Sequence, residues 1–178
     1  MIFFKKEFFS YNLNYKLYKN LIEVVWVAMP FICIACGTTW LNYTDNQNIS
    51  HEIVDQGSYS GYDEETQVWI RNAENWNVCW DKLYKNTVPK PNIPEINFNK
   101  KHLVACFMGS RSKGGYQVAV EQVQLKGKIL YVDLVYTNPG KDCITTLAIT
   151  QPYIIIAIPV IDAKDIAFEI SQREKKCG

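Results

Sequence analysis

The chain is 178 residues long, 48% hydrophobic, 21% charged and 13% aromatic, with 19 basic and 18 acidic residues. One globular domain with appended ends fits that length and composition, since ~150 residues hide roughly 68–70% of their unfolded surface. A formal charge of +1 excludes a strongly basic nucleic-acid binder. Two histidines, His51 and His102, leave little scope for histidine-based catalysis or metal binding.

Lys5, Lys6, Lys16 and Lys19 precede an apolar run from Val24 to Cys36. At 13 residues it is short of the ~20 needed to span a membrane, but it fits the apolar region of a secretory signal. The end of the run, Cys33-Ile34-Ala35-Cys36-Gly37, resembles a bacterial lipobox, in which a small residue precedes the cysteine whose thiol takes the lipid. Cys33 stands where such boxes usually carry Leu. A plain secretory signal and a buried apolar segment are the other readings. The expectation is a lipoprotein-type signal peptide over 1–35, lipidation at Cys36, and a place in the bacterial cell envelope, on the outer membrane or a periplasm-facing membrane. Each buried CH₂ of such an anchor contributes ~0.8 kcal/mol to membrane attachment.

Residues 36–62 are rich in Asn, Ser, Gly, Tyr and Asp and read as a tether. Glu65–Ile70 reads as a short strand. Asn72 is a plausible N-cap for a helix in which Trp76, Cys79, Trp80 and Leu83 recur at i, i+3, i+4 and i+7. That spacing predicts that both tryptophans are core residues. Pro89, Pro91 and Pro94 make the next stretch an extended connector. His102–Met108 is a continuous apolar run, predicting a strand buried on both faces. Gly109–Gly115 is a loop, Tyr116–Glu121 a half-buried strand, Leu125–Lys128 a hairpin turn and Ile129–Thr137 another strand. Residues Thr145–Thr150 read as extended, Tyr153–Ile158 as a β-branched strand, and Ile166–Ile170 as the last strand before a charged tail at 173–178. The predicted class is α+β: one amphipathic helix packed on a mainly antiparallel β-sandwich or open barrel of five or six strands, occupying residues 63–172.

Beyond Cys33 and Cys36, four cysteines remain: Cys79, Cys106, Cys143 and Cys177. They allow three pairings, among which the sequence does not choose. None forms a C-x-x-C spacing of the kind that marks a zinc knot. Cys79 and Cys106 lie inside apolar patterns and read equally well as buried thiols.

Several pieces in order resemble the PrcB C-terminal domain family, known from a lipoprotein subunit of a surface protease complex. They are the tryptophan helix Glu74-Asn75-Trp76 to Trp80, the proline-rich lead into Ile96-Asn97-Phe98, and an apolar strand closing in Gly109. The loop Ser110-Arg111-Ser112-Lys113-Gly114-Gly115-Tyr116 follows, then the turn Pro139-Gly140 and finally Thr150-Gln151-Pro152-Tyr153. The resemblance runs over residues 67–170. Lys113 departs from the family's usual Thr. The resemblance implies a non-catalytic subunit that binds and stabilises an exported partner, a secreted protease being the kind implied, with no cofactor, metal or nucleic acid.

The expected partner-binding residues are Arg111, Lys113, Gly114, Gly115, Tyr116 and Gln151, with both cations projecting outward from a glycine-hinged loop. The plainer reading of Gly114-Gly115 is a tight hairpin. An alternative function is a protease inhibitor, because the Gly-Gly-Tyr loop is similar to the wedge loop of chagasin-type inhibitors. An enzyme is not expected. His102 and Cys106 lie four residues apart, ~13 Å along a strand, beyond the reach a Cys–His pair needs. The acidic run Asp63-Glu64-Glu65 reads as a solvated face.

Overall fold

The computed structural model describes residues 46–177. The expected signal peptide, Cys36 and its lipid lie outside the described residues. The elements, in chain order, are β1 (Asn46–Asn48), β2 (Glu52–Gly57), β3 (Thr66–Ile70), α1 (Ala73–Leu83), β4 (Lys101–Phe107), β5 (Gln117–Lys126), β6 (Ile129–Pro139), β7 (Tyr153–Pro159) and β8 (Asp165–Lys175). They form two four-stranded sheets that do not close into a barrel. The middle sheet has the order β2-β7-β4-β3 and the outer sheet β1-β5-β6-β8. All pairings are antiparallel except β6 with β8.

Three layers result. Val104, Cys106, Ile154 and Ile156 of the middle sheet meet Val123, Val132, Leu134 and Tyr136 of the outer sheet. On its other face the middle sheet sets Leu103, Ala105, Phe107 and Ile155 against Trp76, Cys79, Trp80 and Leu83 of α1. The central strands β4 and β7 are therefore covered on both sides, which is why they are apolar without alternation. Strand β5 has one covered face and alternates. The Asn72 side chain accepts from the Asn75 amide at 2.8 Å and caps α1. The proline connector lies over the helix. Its carbonyls at Pro94 and Pro91 accept from the indole N–H groups of Trp76 (3.0 Å) and Trp80 (3.1 Å), so both rings are buried with their polar atoms satisfied.

Four expectations change. The tether begins to fold by Asn46: β1 and β2 come from the polar stretch, and Ile49, Ser60 and Tyr62 are buried. Edge strands need only one covered face, so composition conceals them. The described residues hold eight strands rather than the expected five or six. Of Thr145–Thr150, expected to be extended, only Thr150 pairs, in an isolated bridge with Arg111, and 145–149 are loop with a bend at Leu147-Ala148. The charged tail is structured too: β8 continues to Lys175, because parallel pairing with β6 runs unbroken to Pro139↔Lys175, and Cys177 is bonded to Cys143.

A candidate docking surface at one end of the sandwich

The register brings β2, β4, β6 and β8 to an end where β3, β5 and β7 begin: Gly57↔Tyr153, Thr66↔Phe107, Gln117↔Thr137 and Pro139↔Lys175 all lie there. Three connections therefore gather at that end: the loops 58–65, 109–116 and 140–152. The 109–116 loop carries the chain from the middle sheet to the outer one. It is not the hairpin that Gly114-Gly115 suggested, because β4 and β5 belong to different sheets.

The three loops are bonded to one another. Arg111 and Thr150 exchange backbone hydrogen bonds of 2.7 and 3.0 Å. The Gly114 amide donates to the Thr146 carbonyl at 2.9 Å, and the Thr150 hydroxyl donates to the Lys113 carbonyl at 2.9 Å. The Ser110 amide donates to the Asp63 carbonyl, and the Gln151 amide to that of Ser58. The Gln151 side chain donates to Asp63 Oδ1 at 3.0 Å and to Ser110 Oγ at 3.4 Å, meeting the neighbouring loop as expected. The acidic run is thus not merely a solvated face: Asp63 and Glu65 serve as acceptors that hold the loops together.

Most of the expected binding residues face each other rather than solvent. Arg111 does not project outward. Its side chain is 31% exposed, pairs with Glu65 at 3.7 Å and lies 5.9 Å from the Tyr116 ring centre, with a buried Nε that has no hydrogen-bond partner among the described residues. Lys113 is half-buried and Gly114 is buried. Gly115 is exposed and takes φ +89°, a conformation that favours glycine. A Cβ on it would stand 3.0 Å from the Pro139 side chain and 3.2 Å from that of Thr145. Tyr116 packs on the core between the sheets. Gly115 and its neighbours therefore form the support on which the 140–152 loop rests.

The surface that the sequence reading missed is on that third loop. Ile144, Leu147 and Ile149 are 103%, 95% and 64% exposed, and Tyr59 on the 58–65 loop is 64% exposed. At the base of the loop, Cys143 is disulfide-bonded to Cys177, the Gly140 amide donates to Lys175 O, and the Cys177 amide donates to Asp142 Oδ2. Of the four cysteines only these two pair; Cys79 and Cys106 are free and buried, as the alternative reading had them. A pattern search passes over Ile144-Thr145-Thr146-Leu147-Ala148-Ile149 because its β-branched residues imitate a strand; the only local signal was the Pro139-Gly140 turn before it and Pro152 after it.

Elsewhere the chemistry is quiet. The Cys106 thiol is pushed up to about 12 by burial, and burial also raises that of Cys79, so both stay protonated at neutral pH. His102 and Cys106 share one face of β4, ~13 Å apart along the strand. His102 is held below its usual range by burial and by the charge of Arg71. Among the described residues no group of three or more His, Cys, Asp or Glu could hold a metal ion, and no helix is long and apolar enough to cross a membrane.

Residues 103–159 match the family model described as PrcB C-terminal. The match runs from β4 to β7, takes in the 109–116 and 140–152 loops, and agrees with the resemblance carried by the motifs. It covers about a third of the chain. No curated protein and no solved structure matches the chain.

Proposed function

We propose that this protein is an exported, lipid-anchored, non-catalytic module that docks on an exported partner, a secreted protease, and stabilises it. The family match supports the protease-associated reading. The single observation that carries the docking is the set of aliphatic side chains, Ile144, Leu147 and Ile149, held in water on a loop braced by a disulfide and two neighbouring loops. Burying one such side chain stabilises a complex by about 1.5–3 kcal/mol, and these three contribute little to the folded monomer. Three exposed aliphatic side chains within six residues of one loop support the reading of an interaction site. Arg111, Lys113, Gly115, Tyr116 and Gln151 then act mainly as the base that shapes the surface. Stabilisation follows from mass action: a module that binds only the folded partner adds about 2.7 kcal/mol to its stability at a free concentration 100 times Kd.

The test is recovery of the partner from the protein's own membranes by affinity capture, comparing the native chain with Leu147→Asp. Because Leu147 is 95% exposed, the substitution should change stability by no more than about 0.5 kcal/mol. The expected result is an exported protease recovered with the native chain and lost with the variant. Equal recovery, or recovery of cell-wall and sugar-binding components alone, would sink the proposal. Papain-type activity titrated with the protein should stay flat; a stoichiometric fall would favour the chagasin-type reading instead. The anchor is tested separately, since Cys36→Ala should move the protein out of the membrane fraction.

A further inference from the structure

Strand β8 ends the outer sheet, and its far edge has no strand beside it among the described residues. It pairs with β6 along its whole length, Asp165–Lys175, without a shift of register. The two ends of that ladder show which way its backbone groups turn. The Asp165 amide donates to the Lys128 carbonyl at 3.4 Å, and the Lys175 carbonyl accepts from the Gly140 amide at 3.0 Å. Odd-numbered residues therefore direct their N–H and C=O groups to β6, and those of Ile166, Phe168, Ile170, Gln172 and Glu174 point to the open edge. Both flanks of the strand are drawn towards β6 and leave that edge clear. Before it, the Lys164 amide donates to the Lys128 carbonyl at 2.7 Å; after it, Cys177 is bonded to Cys143.

An edge this long is ordinarily blunted by a proline, a bulge, a covering segment or charge. Strand β8 carries no proline and no bulge. It does carry charge, and the charge is sorted. Ile166 and Phe168 pack on the core between the sheets, so Asp165, Ala167, Glu169, Ser171, Arg173 and Lys175 line the opposite face. On that face both acids stand in the first half of the strand and both bases in the second. Arg173 meets Glu121 at 2.6 Å, but Asp165, Glu169 and Lys175 take part in no ion pair among the described residues. Such an edge complements a strand of its own sequence running the other way. A copy running parallel and in register would set Asp165 beside Asp165 and Lys175 beside Lys175, which is unfavourable.

We infer that a second copy of this chain docks on the β8 edge, strand against strand and antiparallel, about a two-fold axis at Ile170. In that register Ile166 faces Glu174 of the second copy, Phe168 faces Gln172, and Ile170 faces its own counterpart. Every one of these residues turns its free backbone groups to the edge, so each pair exchanges two bonds, about ten in all. On the outward face Asp165 stands opposite Lys175 at both ends of the interface, and Glu169 lies diagonal to Arg173. The axis covers Ile170, which is exposed in the single chain. There is room for this arrangement. Strand β3 lies over β6 where the Gln67 side chain donates to the Tyr136 hydroxyl at 3.2 Å, so β8 overhangs the middle sheet. The two β3 strands then stand about three strand spacings, or ~14 Å, apart. The surface is the same patch on both copies, as a closed dimer requires. It is independent of the apolar loop: either surface can be present without the other.

The test is sedimentation of the full-length protein in detergent over a range of concentrations. The native chain should dimerise. Asp165→Lys and Lys175→Glu each set like charges opposite one another at both ends of the interface, and each should weaken the dimer at least tenfold. An equimolar mixture of the two variants restores opposite charge at both ends, so heterodimers should form with native affinity; a variant that had merely misfolded could not do this. In the native chain, hydrogen exchange at the amides of Ile166, Phe168, Ile170 and Gln172 should slow as the dimer forms. The Ala167 amide, which faces β6, should be slow throughout. Leu147→Asp should leave the dimer intact. Any of four results would overturn the inference: a monomer at every concentration, a dimer indifferent to both charge substitutions or not restored in their mixture, a dimer abolished by Leu147→Asp, or those four amides already protected in the monomer.

Discussion

Replacing Gly115 measures how far the loop surface depends on one backbone angle. Gly115 holds φ +89°, and a Cβ there meets Pro139 at 3.0 Å and Thr145 at 3.2 Å. Gly127, in the β5–β6 turn, supplies the reference: its φ is +62°, and a Cβ would meet nothing within 4 Å. Gly127→Ala therefore carries only the left-handed penalty of about 1–2 kcal/mol, offset by about 0.4–1 kcal/mol because alanine restricts the unfolded chain. A net cost near 1 kcal/mol is expected. Gly115→Ala carries the same balance plus about 1–3 kcal/mol of crowding, because Pro139 ends β6, paired with Lys175, and Thr145 lies on the braced loop, so neither swings clear. The sum is about 2–4 kcal/mol, and Gly115→Val should exceed it. For a body of this size 1 kcal/mol moves Tm by about 4 °C, so Gly115→Ala should lower Tm by about 8–16 °C against about 4 °C for Gly127→Ala. Circular dichroism melts of the two variants decide the matter. Equal shifts would refute the claim that Gly115 is confined by the neighbouring loop, leaving it an ordinary turn glycine.

Removing the Cys143–Cys177 bond, which closes a loop of sequence separation 34, should cost about 4 kcal/mol by chain entropy. Denaturant midpoints of Cys177→Ala and of the reduced native chain should fall together, with faster hydrogen exchange over 140–150; an unchanged midpoint would remove the bond from the account of the loop. With the Cys106 thiol pushed up to about 12 by burial and that of Cys79 also raised, iodoacetamide at pH 8 should label neither in the native protein and both after denaturation. Rapid native labelling of Cys106 would contradict its placement between the sheets. His102 titrates below its ordinary value in the fold because of burial and Arg71, whereas the unfolded chain takes up that proton near pH 6.5. Below that pH the unfolded state holds more protons, so this contribution to stability is present above about pH 6.5 and is lost as pH falls through the folded value. His102→Gln should flatten the fall in stability between pH 7 and pH 5, and an unchanged slope would refute the assignment.

Periodicity was informative wherever a face was buried. Trp76, Cys79, Trp80 and Leu83, spaced as a helix, are all buried on one side of α1, and Asn72 caps it. The apolar runs at 102–108 and 153–158 are the two central strands. Pattern reading failed where the physics is not local. Glu52–Gly57 becomes a strand because it can add to β7, and nothing within its own six residues says so. The route of the 109–116 loop depends on which sheet receives β5, a choice made by core packing far from Gly114. Arg111 reads as an outward-projecting binding cation until Glu65, remote in sequence, is brought beside it and the loop folds it towards Tyr116. Isoleucines and a leucine between two turns look like core, and only the completed fold leaves Ile144, Leu147 and Ile149 in water.

For the docking proposed above, the bracing of that loop decides the balance of free energy. Burial of three aliphatic side chains yields about 5–9 kcal/mol at most. Six residues, 144–149, carry them. Fixing a free chain of that length costs about 1–2 kcal/mol per residue, or about 6–12 kcal/mol, enough to cancel the gain. The disulfide at Cys143, the Gly114–Thr146 bond and the Arg111–Thr150 bridge impose that order during folding, so little of the cost remains to be met on association. The glycine loop and the apolar loop are therefore one device: the first supplies the rigidity without which the second would lose its contact energy to entropy. It follows that a change in the support, remote from any partner atom, should weaken docking as much as a change at Leu147 itself.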